Sequence, residues 1–445
     1  MKYTLCLIFI IPLILWACQS SRSDIPTQSV PSPLSETESA IVIQSPSFTP
    51  SPTTIFTTTP SQTSVPAASP TLSASLSFLR VVFSDGKNVW LWQNIVVTPL
   101  TTIEGYTDVK LSDDGELVAF MRDRLLWVIH SDGTGEQLLV STERLETIEP
   151  ATSDSKLLVF QFDWVPNTHN LLFNTTFSGY GVSHRDDLHM VDADTREWKT
   201  LRDAGEGGKF LISPRGSHVV MVTPHEISVI DINGTNYRSL LKYSQIDTGS
   251  EYYEYVDPVW SLDSLSLIVD IPPRDYKDNL ATARKVIWHL FVDGSPPVEI
   301  AQVPAKYRYV FSSDFSKLAY NELKNNVIQT HIASIDGSED LIYQPGTEMY
   351  IETWSPDSEY FILHSRQSGE YFLAKVGNQP MPLTEQHSQD FVWIGEMYFL
   401  YKYKNTHNSI CDLRLGTIGK PSVLLAMFAL DPASSSCFRP YDFVP

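Results

Sequence analysis

The sequence predicts an all-β protein: a β-propeller of seven to eight four-stranded blades behind a signal peptide and a disordered Ser/Thr/Pro-rich linker. Two observations carry that prediction. Residues 109–140 read as one complete four-stranded antiparallel unit. Degraded copies of that unit then recur at a spacing of about 40–53 residues up to the end of the chain, a period that marks a ring of repeated sheets.

The first complete unit shows why the period is one of strands. Val109, Lys110 and Leu111 open it, and Ser112, Asp113, Asp114 and Gly115 make a tight turn. Two apolar strands follow over 117–122 and 126–130, then a second turn over 131–135, and a last strand from 137 to 140. Asp-Gly supplies the positive φ that a short hairpin loop needs, and the β-branched and aromatic flanks suit a pleated surface. One such sheet cannot bury both faces alone, so it needs neighbours.

Taken in order, the chain begins with a targeting segment. Residues 1–18 hold Lys2, an apolar run over 5–16 and Ala17 before Cys18. The run falls short of the roughly 20 apolar residues that span a bilayer. The segment resembles a bacterial lipoprotein signal peptide, although Trp16 stands where a smaller residue is usual. The resemblance implies a lipid on Cys18, a membrane-anchored exported protein and a cell-envelope location, in the outer leaflet of the cytoplasmic membrane or in the outer membrane.

Residues 19–75 are dominated by Ser, Thr and Pro, carry four charges and no Gly, and show no apolar period. Such a tract buries too little surface to offset the entropy of ordering, so it is expected to act as a disordered tether. The propeller is expected over 76–445. Apart from Cys6 and Cys18, the cysteines are Cys411 and Cys437, near the end of an exported chain. An oxidising compartment favours a disulfide that pins the tail; two free thiols are the alternative.

The turn that begins each unit recurs in recognisable form. Copies are Ile212-Ser213-Pro214-Arg215-Gly216, Trp260-Ser261-Leu262-Asp263-Ser264, Phe311-Ser312-Ser313-Asp314 and Trp354-Ser355-Pro356-Asp357-Ser358. Trp164-Val165-Pro166-Asn167 and Trp393-Ile394-Gly395 are weaker copies. These turns, with the aromatic-rich strands and the Asp-Gly turns after them, resemble the TolB-type, WD-repeat-like propellers. The blades are also similar to those of the prolyl oligopeptidase propeller. The resemblance spans about 78–427 and implies fold rather than activity. Residues 78–102 add three strands. Either the C-terminal tail completes them as an eighth blade, or they merge with the last unit to give seven; eight is the preferred count.

Function is bounded mostly by what is missing. The 52 acidic against 32 basic residues, a net charge of -20, argue against nucleic acid as a partner. No G-x-S-x-G elbow, H-E-x-x-H helix, P-loop or metal-spaced Cys/His cluster occurs. No catalytic residue, metal or cofactor is therefore expected. The acidic turn Asp192-Ala193-Asp194 reads as a solvated hairpin.

Strand parity locates the expected binding surface. Loops after the second strand of each blade and linkers between blades must share one face, here called face X. The two tight turns of each blade share the opposite face Y. The long insertions 141–156, 176–187, 243–257 and 271–285 all fall on X, where a rigid scaffold carries its binding loops. Tyr180, His184, Arg185, Asp186, Tyr252, Tyr253, Tyr255, Arg274, Tyr276, Tyr307 and Tyr309 are the candidate binding residues. Tyrosines among carboxylates and arginines stack on sugar rings or anchor protein partners. The expectation is a monomeric, non-catalytic binding or scaffold module for an envelope or extracellular protein, peptide or glycan. The alternative is a hydrolase or lyase acting on an envelope or extracellular polysaccharide.

Overall fold

A computed structural model describes residues 79–444 apart from 103–104, 153, 179–183, 251–252, 345–347, 384–387, 406–409, 430–436 and 438–440. The signal segment, Cys18, the linker, Tyr180 and Tyr252 lie outside the described residues.

Eight four-stranded antiparallel sheets form the ring. The second blade runs from Tyr106–Leu111 through Leu117–Arg122 and Leu125–His130 to Gln137–Val140. The third runs from Leu157–Trp164 to Trp198–Arg202, the fourth from Lys209–Ile212 to Arg238–Lys242 and the fifth from Val259–Trp260 to Val298–Pro304. The sixth begins at Tyr309–Phe311, the seventh at Met349–Trp354 and the eighth at Ser388–Ile394. In each of these blades the first strand is at one edge and sequence order is kept across the sheet.

The first blade is assembled from both ends of the described chain. Arg80–Ser84, Val89–Gln93 and Val96–Pro99 provide three strands, and Tyr441–Val444 adds the fourth beside Arg80–Ser84. Arg80 pairs with Val444 and Phe83 with Tyr441. This is the eight-bladed alternative, and it leaves no open seam in the ring. Cys411 and Cys437, both buried, are joined by a disulfide with their Cα atoms 5.7 Å apart. The bond ties the tail to the eighth blade shortly before the closing strand.

The apolar core is divided among the blade boundaries. One cluster joins Leu117, Val128 and Leu139 of the second blade to Val159, Trp164 and Phe173 of the third. Another joins Val81 and Trp92 of the first to Leu413 and Phe428 of the eighth. Clusters of this kind fill all eight boundaries. Each sheet thus covers both faces with its neighbours, and each fully buried Leu, Ile or Val contributes about 1.5–3 kcal/mol.

The Ser-x-Asp turns on face Y show why those residue types recur. Ser112 Oγ donates to Asp114 Oδ1 at 2.6 Å and accepts the Leu117 amide at 2.9 Å. Asp114 in turn accepts the Glu116 amide at 3.0 Å. Ser312 with Asp314 and Ser355 with Asp357 repeat the pattern. The next position is left-handed in five blades: Gly115, Gly216, Ser264, Phe315 and Ser358 have φ between 58° and 71°. Ser264 and Ser358 also reach the preceding blade, accepting the Arg215 and Asp314 amides at 2.9 and 3.0 Å. The tryptophan before the turn does the same from the other side. Trp164, Trp260 and Trp354 donate Nε1 to the carbonyls of Lys110, Leu211 and Val310, each on the preceding blade's first strand.

Candidate functional site

The long connections lie on face X as strand parity requires, and two of them bring a group of partly and fully buried polar side chains together there. The loop after Asn170–Phe177 of the third blade brings in His184, Arg185, Asp186 and Asp187. The linker from the fourth to the fifth blade brings in Tyr255, and Lys209 opens the fourth blade. Gly207 allows this approach. Its amide donates to the Asp186 carbonyl at 2.6 Å, and a Cβ there would collide with the Asp187 backbone.

Asp187 is fully buried and fully engaged. It accepts the Thr175 amide at 2.8 Å, the Thr175 hydroxyl at 2.6 Å and Arg185 Nη1 at 2.9 Å, and meets His189 Nε2 at 3.0 Å. Burial pushes its carboxyl up, but the His189 and Thr175 hydrogen bonds outweigh this and hold it below the usual carboxylate range. Arg185 also reaches Glu149 at 3.3 Å, tying this loop to the preceding insertion. That insertion carries a short helix, Thr142–Ile148, whose N-terminal amide on Arg144 is capped by Ser141 Oγ at 3.3 Å.

Asp186 next door behaves in the opposite way. Burial raises its carboxyl, the Tyr255 hydroxyl offsets this only in part by donating at 3.2 Å, and the Asp187 charge adds to the rise. Tyr255 is itself pushed up by burial and then by Asp186. Its ring lies 5.2 Å from that of His184, and Lys209 Nζ sits 4.9 Å from its centroid. His184 packs edge-on against Phe160 at 4.2 Å, and its buried Nδ1 has no hydrogen-bond partner among the described residues. Burial and then the Lys209 charge pull its imidazole below the ordinary value. Asp186, His184, Tyr255 and Lys209 thus meet from two connections and the start of a strand, and Asp186 and its neighbour Asp187 are driven in opposite directions.

The other candidates divide into three kinds. Arg274 and Tyr276 join two insertions to each other. Arg274 Nε meets Asp247 Oδ2 at 3.0 Å, and the Tyr276 hydroxyl and Lys277 Nζ donate to Glu254 at 3.2 and 2.7 Å. Tyr253 is 58% exposed. Tyr255, Tyr307 and Tyr309, by contrast, are 7–8% exposed and turn inwards. Tyr307 stacks on Tyr320 at 5.4 Å and donates to Glu322 at 3.0 Å, while Tyr309 donates to the Pro304 carbonyl at 2.9 Å. Large rings at blade boundaries gain more from packing than from display. Lys209, Glu149 and His189 escaped the sequence reading because they reach the site from distant connections or an adjacent strand and carry no local motif.

On face Y, Asp114, Glu116 and His169 offer three donor atoms within 4.8 Å of one another. Both His169 nitrogens already face carboxylates, Asp114 and Asp194, each at 2.8 Å. That arrangement suits an imidazolium ion pair.

No family profile matches this chain, and no curated protein matches it in sequence. Among solved structures, a prolyl endopeptidase is similar at 11% identity with a TM-score of 0.49, over 74% of this chain and 50% of that one. This chain thus spans about half the length of that enzyme. An oligogalacturonate lyase from Vibrio parahaemolyticus is similar at 12% identity with a TM-score of 0.41, over 62% and 80%. The propeller domain of the Trilobed protease from Pyrococcus furiosus is similar at 12% identity with a TM-score of 0.43, over 62% and 84%. These are likenesses to propellers at low identity, and the fold itself rests on the strand pairing: an eight-bladed β-propeller closed by its C-terminal strand.

Proposed function

We propose that this protein is an exported propeller of the TolB-like kind, lipid-anchored at Cys18, that binds an envelope or extracellular protein, peptide or glycan through face X without catalysing a reaction. One observation supports the binding face above others: two long connections on X bring Asp186, His184 and Tyr255 together beside Lys209, which opens the fourth blade. Rigid blades beneath long loops favour this use. The test is capture from envelope extracts and on a glycan array with the full chain, comparing wild type with Lys209→Ala, Tyr253→Ala and Arg274→Ala combined. Capture that is unchanged by the triple variant rejects the face. For the anchor, Cys18→Ser is expected to release the protein from the membrane fraction; a variant that stays membrane-bound rejects lipidation.

Asp186 and His184, both against Tyr255 and shifted by burial towards their uncharged forms, favour a second reading, an acid–base site acting on a polysaccharide. Chain-shortening of an envelope polysaccharide by wild type, lost in Asp186→Asn, would establish it.

A further inference from the structure

A second site on face X lies between the sixth and seventh blades, away from the His184 cluster. A cavity of about 390 Å³ opens there, with Lys306, Tyr307 and Arg308 on one wall and Tyr350, Glu352 and His364 on the other. This is near the lower end of the range for small-ligand pockets.

The two walls carry opposite charge for identifiable structural reasons. Lys306 and Arg308 belong to the linker that enters Tyr309–Phe311, so they stand at the rim, where both are exposed. Lys306 Nζ lies 4.8 Å from the Tyr307 ring centroid. The Arg308 guanidinium forms no hydrogen bond or ion pair with any described residue. Glu352 is the extra residue of a bulge: the register of Met349–Trp354 on Tyr360–Ser365 shifts between Ile351 and Thr353. A bulge re-aims one side chain, and here the re-aimed carboxylate lines the cavity. His364, cross-strand from Tyr350, holds Nδ1 3.7 Å from that carboxylate and stacks on Tyr371 at 4.5 Å.

Elsewhere on face X opposite charges join directly in the pairs Lys277–Glu254, at 2.7 Å, and Arg274–Asp247, at 3.0 Å. Across this cavity no ion pair links Lys306 or Arg308 to Glu352. An anionic ligand alone would leave Glu352 opposing it, and a cationic one would leave Arg308. A ligand carrying both signs satisfies both walls.

We propose that this cavity binds a small zwitterion of the α-amino acid type. The carboxylate lies in the planar fork of Arg308 with Lys306 beside it, the ammonium group meets Glu352, and the body rests against Tyr350. Arg suits the first role because its guanidinium grips a carboxylate through two parallel hydrogen bonds. The proposal deepens the reading of X as a binding face and rests on it, yet it can fail while capture of a larger partner persists.

The experiment is calorimetric and saturation-transfer titration of the full chain with the twenty free amino acids and with glycylglycine. The best ligand is then compared with its N-acetyl and C-amide derivatives. At least one zwitterion is expected to bind with a Kd of about 1 mM or tighter. Each derivative is expected to bind roughly tenfold or more weakly, the scale of one lost charge-assisted contact. Arg308→Ala should erase the penalty of amidation, and Glu352→Gln the penalty of acetylation. Both variants are surface changes, and an unaltered thermal melt verifies their folding. Three outcomes overturn the proposal: no zwitterion binds, the derivatives bind as well as the parent, or acetate binds as tightly as the amino acid.

Discussion

His169 Nε2 lies 2.8 Å from Asp114 Oδ2, an ion pair that crosses from the third blade to the second on face Y. Burial opposes the charge on His169, but the hydrogen bonds to Asp194 and Asp114 outweigh it and raise the imidazole above its ordinary value. A raised histidine stabilises the fold fully below its unfolded pKa of about 6.5, and that contribution is lost as pH rises through the higher folded value. His169→Gln is therefore expected to cost about 0.5–1 kcal/mol near pH 6, a modest figure because the pair is partly exposed, and almost nothing at pH 9. Urea titrations across that range measure the gap. A gap that does not change with pH would show that His169 acts through packing alone.

Asp442 in the closing strand also makes stability fall with rising pH, but through a penalty rather than a lost gain. Its carboxyl is pushed up to about 6, chiefly by burial, with Lys110 pulling the other way, while Oδ2 accepts the Leu111 amide at 2.8 Å. A raised carboxyl means that the fold disfavours the ionised form, so stability falls as pH climbs from about 4 towards the folded value. Asn keeps an acceptor oxygen and removes the charge. Asp442→Asn is expected to stabilise the protein by about 1–3 kcal/mol at pH 7, and not at all below about pH 4. Equal stability of the two proteins at pH 7 would count against the argument.

Ser358 occupies a left-handed position with φ of 60° and uses its hydroxyl to accept the Asp314 amide of the preceding blade. Two substitutions separate backbone strain from the inter-blade bond. Ser358→Ala keeps the strain and loses the bond, with an expected cost of about 1–2 kcal/mol. Ser358→Gly loses the bond but relaxes the backbone, so it should cost less. If Gly proves worse than Ala in chemical denaturation, the positive φ is not what this site demands.

The Cys411–Cys437 bond closes a 26-residue separation just ahead of the final strand. Replacing both cysteines by Ser is expected to destabilise the protein by about 2–4 kcal/mol. A reductant should lower the melting temperature of the wild type towards that of the double variant and leave the variant unmoved. A wild type insensitive to complete reduction would contradict this.

How much of this was legible in the sequence follows from how local each signal is. The Ser-x-Asp turns could be read directly, because Ser112 and Asp114 build their hydrogen bonds within six residues. The third blade's turn was faint for the same reason: Val165 replaces the serine, and the left-handed residue is Asn167. The choice between seven and eight blades stayed open, since Tyr441–Val444 is a short strand whose partner, Arg80–Ser84, lies at the other end of the propeller. Parity placed the insertions on one face without any coordinates. It could not say which tyrosines of that face would turn inwards, and Tyr307 and Tyr309 did so because Tyr320 offers them a ring to pack on. Nor did it place Glu352, whose direction comes from a bulge with no sequence marker of its own.

The pairing of Arg80 with Val444 has a consequence for how the protein can be held. Strand direction puts the entry of the chain at Arg80 and its exit after Val444 side by side on the face of tight turns. Whatever leash or fusion is attached at either end therefore pulls from the back of the disc. The loop-bearing front stays free to look outward, so immobilising the protein by either terminus should present the same surface to an incoming ligand.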